Sequence, residues 1–428
     1  MSSSPKKSQE PYEYSLSRYF SKGTQYYYGY PTGVDSHFYI TVPAEVEEVV
    51  AARPMTCAGP GVKIICFATA LTPDVWGFLH DDLGVLSITR DQVISFPKNV
   101  TAEIRGDDRN KRLKKELAKM ATPGKLVMAQ PYLDSQLKSY YQIPPHRVVW
   151  MNDKRNMSSY IPEVYLPQRY AEFLDGRCFI DTTEQLPIPC VVKVTSSSSG
   201  DGVRICRSMK DLEKAKREFK HLESVIAVDE CIDVAQNIAV QFGIPQDPDQ
   251  AIDIIGWHEQ LTDPNGVFLG GILDPHADDQ FLKPIFALLL EKILPEVRKK
   301  GWYGIGGFDI LMDKEGRFYF VDCNFRMTGM TAVDCFVRNH NIQKSLVAFF
   351  GTYRGTAQKF RKTMGEISLP GSDNQLLHFM ALTESDGVFR FNAAMLLEKR
   401  NDAEKLAKQL MKLGIESAVL KNFATKTI

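Results

Sequence analysis

The sequence carries no net charge: 52 Lys+Arg balance 52 Asp+Glu over 428 residues. That excludes the whole-chain field that draws nucleic acid or an anionic membrane, and makes small molecules or peptides the expected partners. It has no CxxC pair. The eight cysteines stand singly at 57, 66, 178, 190, 206, 231, 323 and 335, which excludes a zinc knuckle or a thioredoxin-type site. Most sit in apolar runs such as Ile64-Ile65-Cys66-Phe67, where cysteine acts as a small core residue and a reducing compartment is implied. No apolar run approaches the ~20 residues needed to span a bilayer. The polar opening Met1–Ser15 lacks the apolar centre of a signal peptide, so the expected location is cytoplasmic, with no membrane partner. Phosphate-binding fingerprints of two large fold groups are also missing. No G-x-x-x-x-G-K-[ST] occurs, and Thr122-Pro123-Gly124-Lys125 lacks both the upstream glycine and the following hydroxyl residue. No GxGxxG opens a helix after a strand.

What is present alternates. Residues 1–35 are rich in Ser, Tyr and Gly without periodicity and read as an irregular arm, with Tyr26-Tyr27-Tyr28 serving packing rather than recognition. Val62–Thr69, Lys125–Gln130 and Arg147–Met151 are short, β-branched apolar runs that predict buried parallel strands. The charged stretch Arg109–Met120, apolar at 113, 117 and 120, predicts a helix between them. Further strands are predicted at Cys190–Val194, Gly202–Cys206 and Val225–Val228, with a helix over Met209–Leu222. An antiparallel meander follows at Asn237–Gly243, Asp253–Leu261 and Val267–Gly271. Asp278–Lys300 reads as helix broken near Pro295. Gly307–Met312 and Phe318–Asn324 form a hairpin around Asp313-Lys314-Glu315-Gly316, and 375–428 reads as strand–helix–strand with its helix at Ala403–Leu413. The length predicts two or three domains.

Two segments carry chemistry. In the first, strand Cys190–Val194 holds Lys193 at its edge and runs into Ser196-Ser197-Ser198-Ser199-Gly200-Asp201-Gly202. Small side chains let backbone N–H groups approach phosphate oxygens, hydroxyls add donors, and the lysine adds a cation. A surface hairpin with a stray lysine is the competing reading. The second segment is the hairpin. Side chains alternate along a strand, so Asp322, Asn324 and Arg326 share a face, while Val321, Cys323 and Phe325 point to the apolar side. Asp309 meets that polar face from the partner strand. Oxygen-bearing side chains converging on apolar strands need compensation, and Mg²⁺, a hard cation, prefers such oxygens. Arg326 beside them suits charge developing on a transferred phosphoryl group. A structural salt bridge of Arg326 with Asp322 or Asp309 is the rival reading.

These motifs, in this order, resemble the ATP-grasp superfamily over about Arg147 to Cys335. An early lysine follows a strand at Asn152-Asp153-Lys154, a second precedes the serine loop, an acidic hinge follows at Val228-Asp229-Glu230-Cys231-Ile232, and the metal hairpin comes last. The resemblance implies an α+β to α/β chain. An N-terminal arm and α/β pre-grasp domain would occupy 1–150, the ATP-grasp region 151–370, and a small C-terminal α/β domain 371–428. It implies that Lys154 and Lys193 bind the α- and β-phosphates of ATP, and that Ser197, Ser198, Ser199, Gly200 and Gly202 close over the triphosphate. Glu230, Cys231 and Ile232 would hold adenine. Asp309, Asp322 and Asn324 would hold Mg²⁺, with Mn²⁺ as substitute, and Arg326 would stabilise an acyl phosphate. Two departures stand out: both metal carboxylates are Asp where many relatives use Glu, and the loop is serine-rich where glycines are common.

The implied activity is ATP- and Mg-dependent ligation of a small-molecule or peptide carboxylate to an amine. The flanking units are similar to those of the peptide ligases of peptide-antibiotic pathways, which points to natural-product biosynthesis, with a homodimer as the expected assembly. A carboxylate–thiol ligase loading a carrier protein, a non-catalytic ATP-binding regulator and a hydroxyl phosphotransferase are the alternatives. The last lacks an identifiable general base. His258 reads first as a satisfied strand histidine and second as a substrate ligand, with Glu259 alternating away from it. Arg204 reads equally as a phosphate contact or a solvated strand-end residue.

Overall fold

In the computed structural model, the described residues are 13–20, 25–29, 43–97, 107–133, 136–197, 200, 202–277, 279–372 and 375–425. Their architecture mixes α and β in three sheets. The first contains β1 (Tyr26–Gly29), β2 (Val62–Cys66), β3 (Val93–Ser95) and β4 (Leu126–Met128), all parallel in the order β3-β2-β1-β4. Its helix Asp107–Met120 buries Leu113 and Leu117 fully.

β1 corrects the expectation of an irregular arm. Tyr26–Gly29 is a central strand with all four residues buried, so the tyrosines do pack in the core. Its period is invisible in sequence because both faces are covered, which removes the polar alternation. Arg147–Met151 is also corrected. Pro145–Met151 is a helix with Pro145 at its first turn, where a missing N–H costs nothing, and Val148 and Met151 face inward at i and i+3. Lys154 therefore follows a helix rather than a strand, at the start of a 3₁₀ turn, Lys154–Ser159.

The second sheet is antiparallel throughout, with one register shift between Arg169 and Ala171: β5 (Arg169–Phe173), β8 (Ile226–Glu230), β6 (Cys190–Val194) and β7 (Val203–Cys206) in that order. The helix Met209–Phe219 covers it, capped by Ser208 Oγ accepting from Asp211 N, and buries Leu212, Ala215 and Phe219.

The third sheet has eight strands in the order β13-β12-β9-β10-β11-β14-β16-β15. They are β9 (Val234–Ile244), β10 (Asp253–Thr262), β11 (Phe268–Leu273), β12 (Gly304–Asp313), β13 (Phe318–Asn324), β14 (Ser345–Arg354), β15 (Leu377–Ser385) and β16 (Val388–Leu397). Residues 375–425 are thus not strand–helix–strand. They form the hairpin β15–β16, which extends this sheet, followed by helices Ala403–Lys412 and Ala418–Thr425. Helix also persists through Pro295: a π-helical stretch, Leu289–Ile293, joins Lys283–Leu288 to Leu294–Lys299 and absorbs the hydrogen bond proline cannot donate.

One apolar core runs from Ile64 and Leu126 in the first sheet to Phe379, Phe391 and Leu420 at the far end of the third. A second, around Phe242, Trp302, Phe308 and Phe325, backs β12 and β13, with Phe242–Phe308 centroids 5.1 Å apart and Trp302–Phe325 5.0 Å. Such ring pairs contribute ~0.5–1.5 kcal/mol each beyond burial. They hold the site's hairpin rigid from behind. No helix among the described residues is long and apolar enough to cross a membrane.

Candidate active site

Between the second and third sheets lies a cleft of about 430 Å³. Its walls include Lys154, Lys193, Gly200, Glu230, Cys231, Ile232, Asp309, Asp322, Asn324 and Arg326, ten of the residues singled out in the sequence. Ser198 and Ser199 lie outside the described residues. Ser197 and Gly202 are described and stand behind the wall: Ser197 Oγ donates to Val194 O at 2.9 Å, and a Cβ on Gly202 would lie 2.6 Å from that hydroxyl. Gly200 adopts φ +77°, and a Cβ there would meet Gly266 O at 2.7 Å, so glycine lets this loop close on the β10–β11 turn.

The two lysines are held differently. Lys154 Nζ, buried, bonds Ser197 O at 3.1 Å and pairs with Asp322 Oδ1 at 3.1 Å. Lys193 Nζ pairs at 2.8 Å with Asp229 Oδ2, and Arg169 Nε donates to the other oxygen of Asp229. Asp229 is buried between them, and Arg169 is also paired with Glu172 at 3.1 Å, so Lys193 is the cation of this cluster that lines the cleft. Asp229 and Arg169 went unnoticed in the sequence as site-supporting residues; the alternation of β8, which sends Val228 into the core and puts Asp229 on the face of Val191 and Lys193, was the available signal.

The hairpin brings the acidic groups together. Asp309 and Asp322 are direct cross-strand partners, and Asn324 faces Gly307 two positions on. Asp309 Oδ1 accepts from Gln260 Nε2 at 2.7 Å, and Asp322 Oδ1 accepts from Cys323 N at 2.8 Å. Burial, with the neighbouring Asp322 adding to it, pushes the Asp309 carboxyl up to about 7. Two carboxylates crowded at a half-buried site favour a cation between them. Among the described residues no group of three or more His, Cys, Asp or Glu could hold a metal. Two carboxylates and an amide nevertheless fit Mg²⁺, which takes few protein ligands and completes its shell with water and phosphate oxygens.

One face assignment is corrected. The β12–β13 register shifts between Asp309 and Ile310, leaving Val321 as the extra residue. This bulge turns Val321 into the cleft beside Asp322, while Cys323 and Phe325 remain in the core as expected. The segment before Lys154 is sewn to the same strand: Phe325 N donates to Asn152 Oδ1 at 2.9 Å and Cys323 Sγ to Met151 O at 3.3 Å.

His258 is not a satisfied strand histidine. It is 2% exposed, lines the cleft, and its Nδ1 lacks a hydrogen-bond partner. Glu259 alternates away and forms a bidentate pair with Arg400, both contacts 2.7 Å. Arg204 points out of the cleft onto Glu218 and the Phe219 ring, whereas Arg207, unremarked in sequence, lines it.

Residues 171–324 match the model of a family described as L-aspartate–L-methionine ligase, ATP grasp. Solved structures share the fold. An N5-carboxyaminoimidazole synthetase from Staphylococcus aureus complexed with ADP is 12% identical, with a TM-score of 0.54 over 91% of this chain and 97% of that one. An L-amino acid ligase from Bacillus licheniformis is 12% identical, with a TM-score of 0.53 over 93% and 99%. An ADP complex of the synthetase purK is 11% identical, with a TM-score of 0.53 over 82% and 90%. The family match falls on the strands that build the cleft, and these solved structures share the chain's fold.

Proposed function

We propose that the protein joins two amino acids, or an amino acid and a short peptide, activating one carboxylate with ATP and Mg²⁺ as an acyl phosphate. The observation that carries this reading is the cleft itself: the cations Lys154, Lys193 and Arg326, the Asp309/Asp322/Asn324 hairpin, and Phe268, Thr328, Gly329 and Met330 all line one cavity. A volume of about 430 Å³ is in the range of a cofactor-sized site. The matched family model describes an amino-acid-to-amino-acid ligase, and the Bacillus licheniformis structure is an L-amino acid ligase. The S. aureus structure was solved with ADP.

In this reading Glu230, Cys231 and Ile232 receive the adenine. Lys193, held by Asp229, and Lys154 neutralise the phosphates, and the loop of Ser197, Ser198, Ser199, Gly200 and Gly202 closes over them. Asp309, Asp322 and Asn324 would hold Mg²⁺, which would supply charge neutralisation for phosphoryl oxygens. Arg326, on the same wall, orients the carboxylate for in-line attack and stabilises the charge that spreads onto the phosphoryl oxygens. An amine then displaces phosphate from the acyl group. The grasp region would span 151–370, with 371–428 as its C-terminal extension, the location cytoplasmic and the assembly a homodimer.

The test is turnover with ATP, Mg²⁺ and pairwise amino acids, following ADP by a coupled assay and the product mass. The expected product is a dipeptide, formed in step with ADP and phosphate. Amino-acid-independent ADP release, or none across all pairs, refutes the reading.

A further inference from the structure

A second polar pair, His258 on the cleft wall and Asp334 buried behind it, stands apart from the hairpin. Asp334, on the helix Thr331–His340, is 0% exposed, and neither of its carboxylate oxygens has a hydrogen-bond partner. Its Oδ2 lies 3.5 Å from His258 Nδ1. An unsatisfied buried carboxylate is costly, so its retention calls for a role.

The surroundings are shaped to admit this pair. Gly256 sits two residues before His258 on the same face of β10, and a Cβ there would lie 2.6 Å from Asp334 Oδ1. Gly271 lies on the next strand, and its Cβ would come within 3.0 Å of the His258 ring and 2.8 Å of Met330 Sδ. Two glycines on two strands thus leave room for one imidazole and one carboxylate. With Nδ1 turned to Asp334, Nε2 is the ring nitrogen on the cleft side.

Register then places the ring relative to the chemistry. His258 pairs with Ala239, Ala239 with Asp309, and Asp309 with Asp322, so these four form one row on one face of the sheet. At about 4.8 Å per strand, His258 stands ~10 Å from Asp309. Ala239, the small residue between them, lines the cleft and leaves space above itself. The charged groups facing the ring are Asp334 behind it, Asp309 along the row, and Arg326 on the same wall.

We infer that His258 is the proton acceptor for the incoming amine, with Asp334 as the positioning residue that fixes its tautomer; this rests on the ligase reading above. The acceptor arrives as an ammonium ion and gives one proton to Nε2. The freed lone pair forms the C–N bond, the C–O bond to phosphate breaks, and the second amine proton leaves with the phosphate. Asp334 holds Nδ1–H and stabilises the imidazolium, in the manner of a carboxylate behind a catalytic histidine. A 3.5 Å separation closes by less than 1 Å to a hydrogen bond, and such contacts tighten on substrate binding.

Hydroxylamine tests this, because it is unprotonated at neutral pH and needs no base. It traps the acyl phosphate as a hydroxamate. His258→Gln and His258→Asn, the second keeping a donor near Asp334, should lower ligation to an amino acid by about 10²–10⁴ at neutral pH. Hydroxamate formation should stay within a few-fold of wild type, and raising the pH should restore part of the amine reaction. Asp334→Asn should lower the amine reaction and change its pH profile without raising the KM for ATP. Equal loss of both reactions in the folded His258 variants, or amine ligation at the wild-type rate, overturns the inference. Absence of hydroxamate in the wild type with every amino acid would instead overturn the ligase reading beneath it.

Discussion

Asp309→Asn isolates the energetic character of the site. The folded metal-free protein holds the Asp309 proton to about pH 7, against 3.8 for an ordinary aspartate, because burial and Asp322 disfavour its charge. Its folded pKa is raised, so the native state binds more protons than the unfolded one between these values. Stability of the metal-free protein therefore falls as pH rises from ~4 to ~7, and is flat above. The gap between these two values sets an upper bound of about 4 kcal/mol. The side chain lines an open cleft, so water screening reduces this to about 1–2 kcal/mol. The asparagine variant removes that charge, and its carbonyl can still accept from Gln260. It should melt a few degrees above wild type at pH 8 in EDTA and come close to it at pH 4, while losing Mg²⁺-dependent turnover. Differential scanning calorimetry at the two pH values decides. A variant no more stable than wild type at pH 8, or equally stabilised at both, refutes the account of Asp309 as a strained acid.

Other expectations follow from the same geometry. Lys193→Ala should weaken ATP binding by about 10–100-fold in calorimetry, the loss of a charged contact of ~1.5–3 kcal/mol, with melting less affected because Arg169 still partners Asp229. Gly200→Ala places a side chain at φ +77° and 2.7 Å from Gly266 O. Strain of ~1–3 kcal/mol should appear mainly as a raised KM for ATP. Cys231 lines the cleft where adenine is proposed to bind and is partly exposed, so ATP should slow its alkylation, read by peptide mass spectrometry. Buried Cys323, its thiol pushed up to about 12 by burial, should stay unlabelled with or without nucleotide.

Much of the site was legible because it lies on a hairpin. The turn Asp313-Lys314-Glu315-Gly316, with Gly316 at φ +79°, sets the register, and alternation then puts Asp322, Asn324 and Asp309 on one face. Alternation fails at a bulge, which leaves no compositional trace, so Val321 was misplaced. Tyr26–Gly29 and Arg147–Met151 were misread for complementary reasons. A strand covered on both faces loses its period, and a two-turn helix rich in valine resembles a strand until Pro145 is weighed as a helix start. Asp334 was beyond reach. Its partner stands 76 positions away by sequence number (334 − 258), and only packing of the 331–340 helix on β10 brings them together.

The third sheet sets a practical limit on dissecting the molecule. β14 pairs along all of Ser345–Arg354 with β16, a ten-residue ladder beginning at Ser345↔Leu397 and ending at Arg354↔Val388. Deleting 375–428 would bare that ladder as an edge bearing buried Leu346, Val347 and Phe349, a template for pairing with a second chain. A truncated version should therefore be recovered as aggregate rather than as a lone nucleotide-binding unit. Any exchange of modules between relatives would have to cut elsewhere than at this seam.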